Sequence, residues 1–193
     1  MGKINVRMLL ILVLTSGIWS CREKPVPKPH GYYRIAFRNK SYHELQTGFP
    51  YSFEIPGYSS VVPDPSPYAE PFWINVEIPE HKAEIHLSYK KVQDNLFIFT
   101  EESRELAYDH TQKASSIEEE VYLNPSRRVF GTLYHINGNA ASPMQFYLTD
   151  SIRHFLRGAV YIRATPNIDS LKPVIGFLKA DVIRLIETLR WVE

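Results

Sequence analysis

The sequence predicts an α+β fold, with a single domain built from a mainly antiparallel sheet and two helices packed on it. Several short segments alternate apolar and polar residues with the period of two that is typical of half-buried strands. Two longer segments repeat apolar residues at helical spacing. The strand-like segments come in runs instead of alternating one by one with helices, which favours an antiparallel sheet with the helices on one face.

The first half of the folded chain contains the first four strand candidates. Residues 32–37 and 51–55 are aromatic and β-branched and are bounded by Gly and Pro. Residues 72–78 and 84–89 are the other two, and in the latter Ile85, Leu87 and Tyr89 alternate with His86 and Ser88. Residues 56–71 carry five prolines, which predicts a long irregular loop. That loop displays Tyr58, Val61, Val62 and Tyr68. It is a candidate contact with a partner, and the alternative is a loop packed over the sheet.

The middle of the chain changes to a helical period. Apolar spacing predicts a helix over roughly 94–112, with Asp94 as its N-cap. Further strands are expected at 117–123, 128–136, 144–149 and 155–163. Asn137-Gly138 is a turn signal between two of these strands.

The last helix has the clearest pattern, a single apolar stripe from Leu171 to Leu189. Asp169 or Ser170 is expected to cap it, and Pro173 then lies in the first turn, where no amide donor is needed. This terminal order of strand, turn, strand and Pro-containing helix resembles PsbP-like and Mog1-like domains.

The N-terminus has the pattern of an export signal, with Lys3 and Arg7 followed by an apolar stretch of about 12 residues. Such a stretch is too short to span a bilayer, which takes roughly 20 residues. The only cysteine, Cys21, follows directly. With Ile18 three positions before it and Ser20 one before, the site resembles the lipobox of bacterial lipoproteins, in which the cysteine is lipidated. The alternative is an ordinary cleaved signal.

Three segments are therefore expected: a lipoprotein signal peptide at 1–20, a lipid anchor and Pro-rich tether at 21–30, and a globular α+β domain at 31–193. The alternating prolines of residues 22–30 favour an extended conformation, which would hold the domain about 28 Å from its lipid.

Charge and residue spacing exclude several functional classes. Without residues 1–20 the chain carries 20 Lys and Arg against 21 Asp and Glu, which argues against nucleic-acid binding. The seven histidines form no HxH or HxxxH pair, so we expect no metal site and no cofactor.

Ser142, Asp150 and His154 lie close in sequence, but the predicted strand 144–149 separates the serine from the other two. We therefore expect no catalytic triad and no enzyme.

Two segments are candidate contact surfaces. The loop 137–143 presents Asn137, Asn139 and Ser142, which either meet a ligand or partner or hold a tight hairpin. Alternation along the strand 153–163 places one set of side chains on one side of the sheet. This set is Arg153, Phe155, Arg157, Ala159, Tyr161 and Arg163. Arginines with aromatics are enriched at protein interfaces, and the alternative is a solvated face with local ion pairs.

Several runs of residues together carry a family resemblance that covers nearly all of the mature chain. They are PYSFE at 50–54, IHLSYK at 85–90, HTQKAS at 110–115, GNAASPMQFYLTDS at 138–151, HFLRG at 154–158 and PNIDSL at 166–171. With these runs the chain resembles the gliding motility lipoprotein GldD family of Bacteroidetes. The resemblance implies a membrane-attached, periplasm-facing accessory protein of the gliding and linked type IX secretion machinery. It implies no defined catalytic residues.

The leading functional hypothesis is thus a lipid-anchored interaction protein of the cell envelope. Its expected partners are other gliding and secretion proteins, together with the bilayer through Cys21. A periplasmic small-ligand or peptidoglycan-binding module is the alternative, and a hydrolase is the third. The sequence does not distinguish the inner from the outer membrane.

Overall fold

Eleven strands and two α-helices make up the computed structural model, which describes residues 35–45, 48–165 and 167–192. The strands are β1 (Tyr42–Glu44), β2 (Tyr51–Ser52), β3 (Glu54–Pro56), β4 (Ser60–Pro63), β5 (Ile74–Ile78), β6 (Ala83–Lys91), β7 (Ala114–Asn124), β8 (Val129–Gly138), β9 (Met144–Thr149), β10 (His154–Ile162) and β11 (Arg190–Trp191). The helices are α1 (Leu96–Tyr108) and α2 (Ile168–Thr188). The predicted signal peptide, the tether and residues 32–34 lie outside the described residues.

Seven of these strands form one antiparallel sheet in the order β4-β5-β6-β10-β9-β8-β7. Two small antiparallel pairs, β1 with β3 and β11 with β2, complete the strand pairing of the described chain. The predicted α+β class with a mainly antiparallel sheet and two helices is confirmed.

One face of the sheet is covered by α2. Its Leu178, Val182 and Leu185 are buried in the same core cluster as Leu87 of β6 and Phe146 of β9. This is the apolar stripe that the sequence predicts, and burying each such side chain stabilises the fold by about 1.5–3 kcal/mol. The alternation predicted for β6 is also confirmed, because its residues are alternately buried and half-buried along eight positions.

The opposite face is covered by α1. Its Ala107 packs against Tyr134 and Ile136 of β8, and its Phe99 ring lies 5.4 Å from the ring of Phe155 on β10. The expectation that both helices share one face is therefore wrong. The physical reason is visible on β10, where the adjacent residues Phe155 and Leu156 point to opposite faces and both are buried.

Some boundaries also differ from the predictions. Residues 35–37 form no strand, and the proline-rich segment 56–71 contains β4, one of the two edge strands of the sheet. Asp94 has a φ of 58° and does not cap α1, whose N-cap position is taken by Asn95. The predicted turn residues Asn137 and Gly138 still belong to β8, so the hairpin loop begins only at Asn139.

Helix α2 begins earlier than the sequence suggests. Its N-cap is Asn167, whose side chain accepts a hydrogen bond from the Ser170 N–H, so neither Asp169 nor Ser170 has that role. Pro173 is consequently the sixth residue of the helix and lies beyond the first turn. It has no N–H to donate to the carbonyl of Asp169, four residues earlier.

Candidate binding surfaces

The polar side chains of the loop 137–143 are engaged within the protein. Asn137 donates from Nδ2 to Ser116 Oγ at 2.9 Å and to Glu118 Oε1 at 3.0 Å. These bonds tie the end of β8 to the edge strand β7. They fit the alternative in which the residue holds the hairpin, while a contact with a partner stays a prediction.

Asn139 and Ser142 also make internal hydrogen bonds. The Asn139 Oδ1 accepts from the Ile168 N–H at 2.9 Å, which satisfies an amide at the start of α2 that has no partner within the helix. Ser142 is fully buried and donates from Oγ to the carbonyl of Met144. The cavity between this loop and α2 has a volume of about 10 Å³, room for one water molecule at most.

The predicted surface on β10 is partly covered by α1. Phe155 is only 2% exposed, and Arg157 is half-buried and donates from Nη2 to Gln145 Oε1 at 2.5 Å. The Nε of Arg157 is buried and has no acceptor among the described residues. Burial lowers the pKa of the Arg157 guanidinium, because it disfavours the charged form.

The remaining members of that set lie apart from one another. Arg163 follows the end of β10 and forms ion pairs with Glu84 and Glu77. The Tyr161 ring lies 5.0 Å from the His86 ring at the same end of the strand. Arg153 lies at the opposite end, in the turn before β10. The structure therefore does not assemble the predicted set into one open surface.

An apolar cleft of about 540 Å³ opens beside the edge strand β4. Its walls come from the β1–β3 pair, from all of β4 and from the start of β5; they are His43, Leu45, Phe49, Ile55, Ser59, Ser60, Val61, Val62, Pro63, Phe72, Trp73 and Ile74. The volume lies within the range of small-molecule pockets. Val61 and Val62, two residues of the predicted loop contact, thus line a cleft.

Two hydrogen bonds fix the aromatic wall of the cleft. The Tyr51 hydroxyl donates to the Phe72 carbonyl at 2.6 Å, and the Trp73 indole N–H donates to the Tyr89 carbonyl at 2.9 Å. Phe72 has a φ of 70°, a conformation that is unfavourable for a bulky residue. The cleft was not predicted, because its walls come from segments that are distant in sequence.

The other two residues of the predicted loop contact have different environments. Tyr68 is 87% exposed, whereas the Tyr58 hydroxyl donates to Asp181 Oδ2 at 2.6 Å. Asp181 is fully buried on α2 and also accepts from Tyr42 at 2.9 Å and from Lys40 Nζ at 2.6 Å. Burial, together with the bond to this carboxylate, raises the pKa of both tyrosines. The cluster fastens the segment around residues 40–58 to α2.

The Ser142, Asp150 and His154 set and a cluster of metal ligands are both missing as assembled sites in the described parts of the chain. Ser142 lies before the start of β9, whereas Asp150 and His154 flank the turn at its other end, so the three do not form a relay. No three His, Cys, Asp or Glu side chains in residues 35–45, 48–165 and 167–192 converge as metal ligands would. None of the helices in these ranges has both the length and the apolar character needed to cross a membrane.

Comparison with known proteins gives a matching family model and a similar solved structure. A family model described as gliding motility lipoprotein GldD matches residues 22–191. The solution structure of cyanobacterial PsbP (CyanoP) from Synechocystis sp. PCC 6803 is similar, with a TM-score of 0.47 and 11% sequence identity over 86% of this chain and 99% of that chain. No curated protein matches.

Proposed function

Because this chain belongs to the gliding motility lipoprotein GldD family, we propose that it is a lipid-anchored accessory protein of the cell envelope that acts through protein–protein contacts. It supports gliding motility and the linked type IX secretion machinery. The observation that carries this proposal is the extent of the family match, which starts at residue 22, directly after Cys21, and includes almost the whole chain.

The proposed attachment is a covalently bound lipid and needs no membrane-spanning helix. Cys21 carries the lipid, and the Pro-rich residues 22–30 hold the domain away from the bilayer on its periplasmic side. One acyl chain anchors a protein only marginally, so durable attachment takes more than one chain. The domain then works as a tethered binding module and not as a catalyst.

The apolar cleft beside β4 is the proposed contact surface. It combines an exposed sheet edge with apolar side chains from β4 and β5, the two features that an added strand of a partner needs. Backbone hydrogen bonds to β4 would supply affinity, and apolar side chains of the partner would fill the cleft. A partner segment with alternating apolar residues fits this geometry.

In-cell crosslinking tests the proposal. A photo-crosslinking residue in place of Val62, in the cleft, is expected to capture an envelope protein of the gliding or secretion machinery. The same residue in place of Leu123, exposed on the opposite edge of the sheet, is the matched control and is expected not to capture it. Equal capture at both positions, or none at Val62 in cells that still glide, contradicts the proposed surface.

The size of the cleft favours a second candidate function, the binding of a small apolar ligand in the periplasm. Its volume of about 540 Å³ is sufficient for one small molecule. Native mass spectrometry of the purified chain would then show a bound mass that is lost when Val61 is replaced by Glu. Sedimentation with purified sacculi tests the peptidoglycan-binding alternative separately.

A further inference from the structure

A second cleft, of about 370 Å³, lies where three chain segments meet at the end of the sheet. The segments are the β7–β8 turn, the β9–β10 turn and the C-terminal strand β11. The residues that line it are Arg127, Arg128, Asp150, Arg153, His154, Arg190 and Trp191. We call it the arginine cleft. It shares no lining residue with the apolar cleft.

The charge of the arginine cleft is strongly positive although the chain as a whole is nearly neutral, with a net charge of +1. All four of its arginines are exposed. Of the nearby carboxylates, Glu44 forms an ion pair with Arg190. The carboxylate of Asp150 is turned to the backbone, where its Oδ1 accepts from the N–H groups of Ile152, Arg153 and His154 at 2.7–2.9 Å. The four arginines outnumber these two carboxylates, so an excess of positive charge lines the cleft.

Arg128 occupies a backbone position that favours glycine. Its φ is 52°, in the left-handed region that residues with a Cβ adopt at a cost in free energy. The Arg128 carbonyl accepts the indole N–H of Trp191 at 3.0 Å, which joins the β7–β8 turn to β11. That bond needs only the backbone of residue 128. An arginine in this place adds a guanidinium to the cleft in spite of that conformational cost.

The remaining walls are held in place by contacts within the protein. Arg127 donates from Nη1 to the Glu187 carbonyl at 3.0 Å, at the end of α2. The rings of His154 and Trp191 stack with their centroids 5.1 Å apart and an angle of 9° between their planes. Arg153 and His154 have further partners within the protein, so a ligand would join existing contacts. The cleft is thus built before any ligand arrives.

We propose that the arginine cleft binds a phosphomonoester group. Several exposed guanidiniums lining one cleft suit an anion with more than one charge and several acceptor oxygens, and a phosphomonoester carries nearly two charges at neutral pH. A carboxylate offers only one charge and two oxygens, so it matches this excess of positive charge less well. The phosphate belongs either to a small soluble molecule or to a lipid headgroup, and both present the same chemistry to the arginines.

Titration calorimetry of the full chain in a non-ionic detergent tests the proposal. The probes are glycerol 3-phosphate for the soluble source and micelles doped with phosphatidic acid for the lipid source. Binding is expected with at least one of them, and it should weaken as salt is raised because the attraction is electrostatic. A binding heat that is seen with the micelles but not with glycerol 3-phosphate identifies a lipid headgroup as the source. A binding heat with glycerol 3-phosphate identifies a soluble phosphate ester. No saturable binding of either probe overturns the proposal.

Variants assign the binding to the cleft. Arg128→Gly and Arg153→Gln are each expected to weaken binding about 10-fold, because each removes a charge-assisted hydrogen bond. Arg128→Gly also relieves the left-handed backbone, so its melting temperature should not fall. Arg104→Gln removes a positive charge from the exposed face of α1 and should leave the affinity unchanged. An equal loss in Arg104→Gln, or no loss in either cleft variant, means that the anion binds elsewhere.

Discussion

At the scale of single residues, Gly158 illustrates how one missing side chain decides the packing of the sheet. Gly158 of β10 pairs with Phe146 of β9, and the Phe146 ring lies over it. A Cβ built on Gly158 would lie 2.1 Å from Cζ of that ring, far inside van der Waals contact. Since Phe146 is itself buried in the core, the ring has no free space into which it can move.

We therefore expect Gly158→Ala to lower the free energy of unfolding by about 1–3 kcal/mol, as overpacked cores do. Phe146→Leu in the same chain should recover part of that loss, because the smaller side chain makes room for the new methyl group. Urea denaturation of both single variants and of the double variant measures this coupling. Strictly additive effects would mean that the two side chains do not compete for the same space.

Asp181 is the second residue whose environment makes a sharp prediction. Its carboxylate is fully buried and holds Lys40, Tyr42 and Tyr58 together. Asp181→Ala leaves the Lys40 ammonium and two hydroxyls without this acceptor, so it should destabilise the protein by about 3–5 kcal/mol. Chemical denaturation measures the loss. Glu101→Ala breaks an exposed ion pair with Arg104 and should leave stability unchanged within error.

At the scale of elements, the turn between β9 and β10 is held by the Asp150 carboxylate. Burial by itself would raise the pKa of Asp150, but hydrogen bonds from the backbone N–H groups of His154, Ile152 and Arg153 lower it overall. A carboxyl group whose pKa is lower in the folded protein stabilises the fold above the pKa of the unfolded chain, about 3.9. That contribution is lost as the pH falls through the lower, folded-state value.

We therefore expect Asp150→Asn to be less stable than the parent protein at pH 7 by about 1.5–3 kcal/mol, the value of a hydrogen bond to a charged group. The difference should shrink as the pH falls below about 4, because the parent protein then loses the same charge. Thermal melts of both proteins between about pH 2 and about pH 7 follow the difference. A constant difference across that range would show that the charge is not responsible.

The two helices show which element features are readable in a sequence. The apolar stripe of α2 and the alternation of β6 were predicted because each pattern lies within one element. The caps were not, because Asn139 supports the start of α2 from a loop nearly 30 residues earlier in the chain. Local capping preferences select Asp94 and Asp169 as N-caps, but the loops that contact the helix ends determine where the helices begin.

At the scale of the whole molecule, the proposed attachment rests on Cys21. Cys21→Ala should release the protein from the membrane fraction, because no lipid can then be added at this position. Cell fractionation followed by immunoblotting measures the distribution, and Ser20→Ala, which keeps a small residue before the cysteine, is the matched control. A Cys21→Ala protein that still sediments with membranes would mean that something other than a lipid holds it there.

The sequence by itself determined the α+β class, the main strands, the C-terminal helix and the family. These depend on local periodicity and on residues that are contiguous in the chain. Tertiary structure decided the rest: the placement of α1 and α2 on opposite faces, the burial of Phe155 and the two clefts. The arginine cleft collects Arg127, Arg153 and Arg190 from two turns and the C-terminal strand, and the Asp181 cluster joins residues more than 120 positions apart. Such sites depend on which segments meet in space, and no local pattern carries that information.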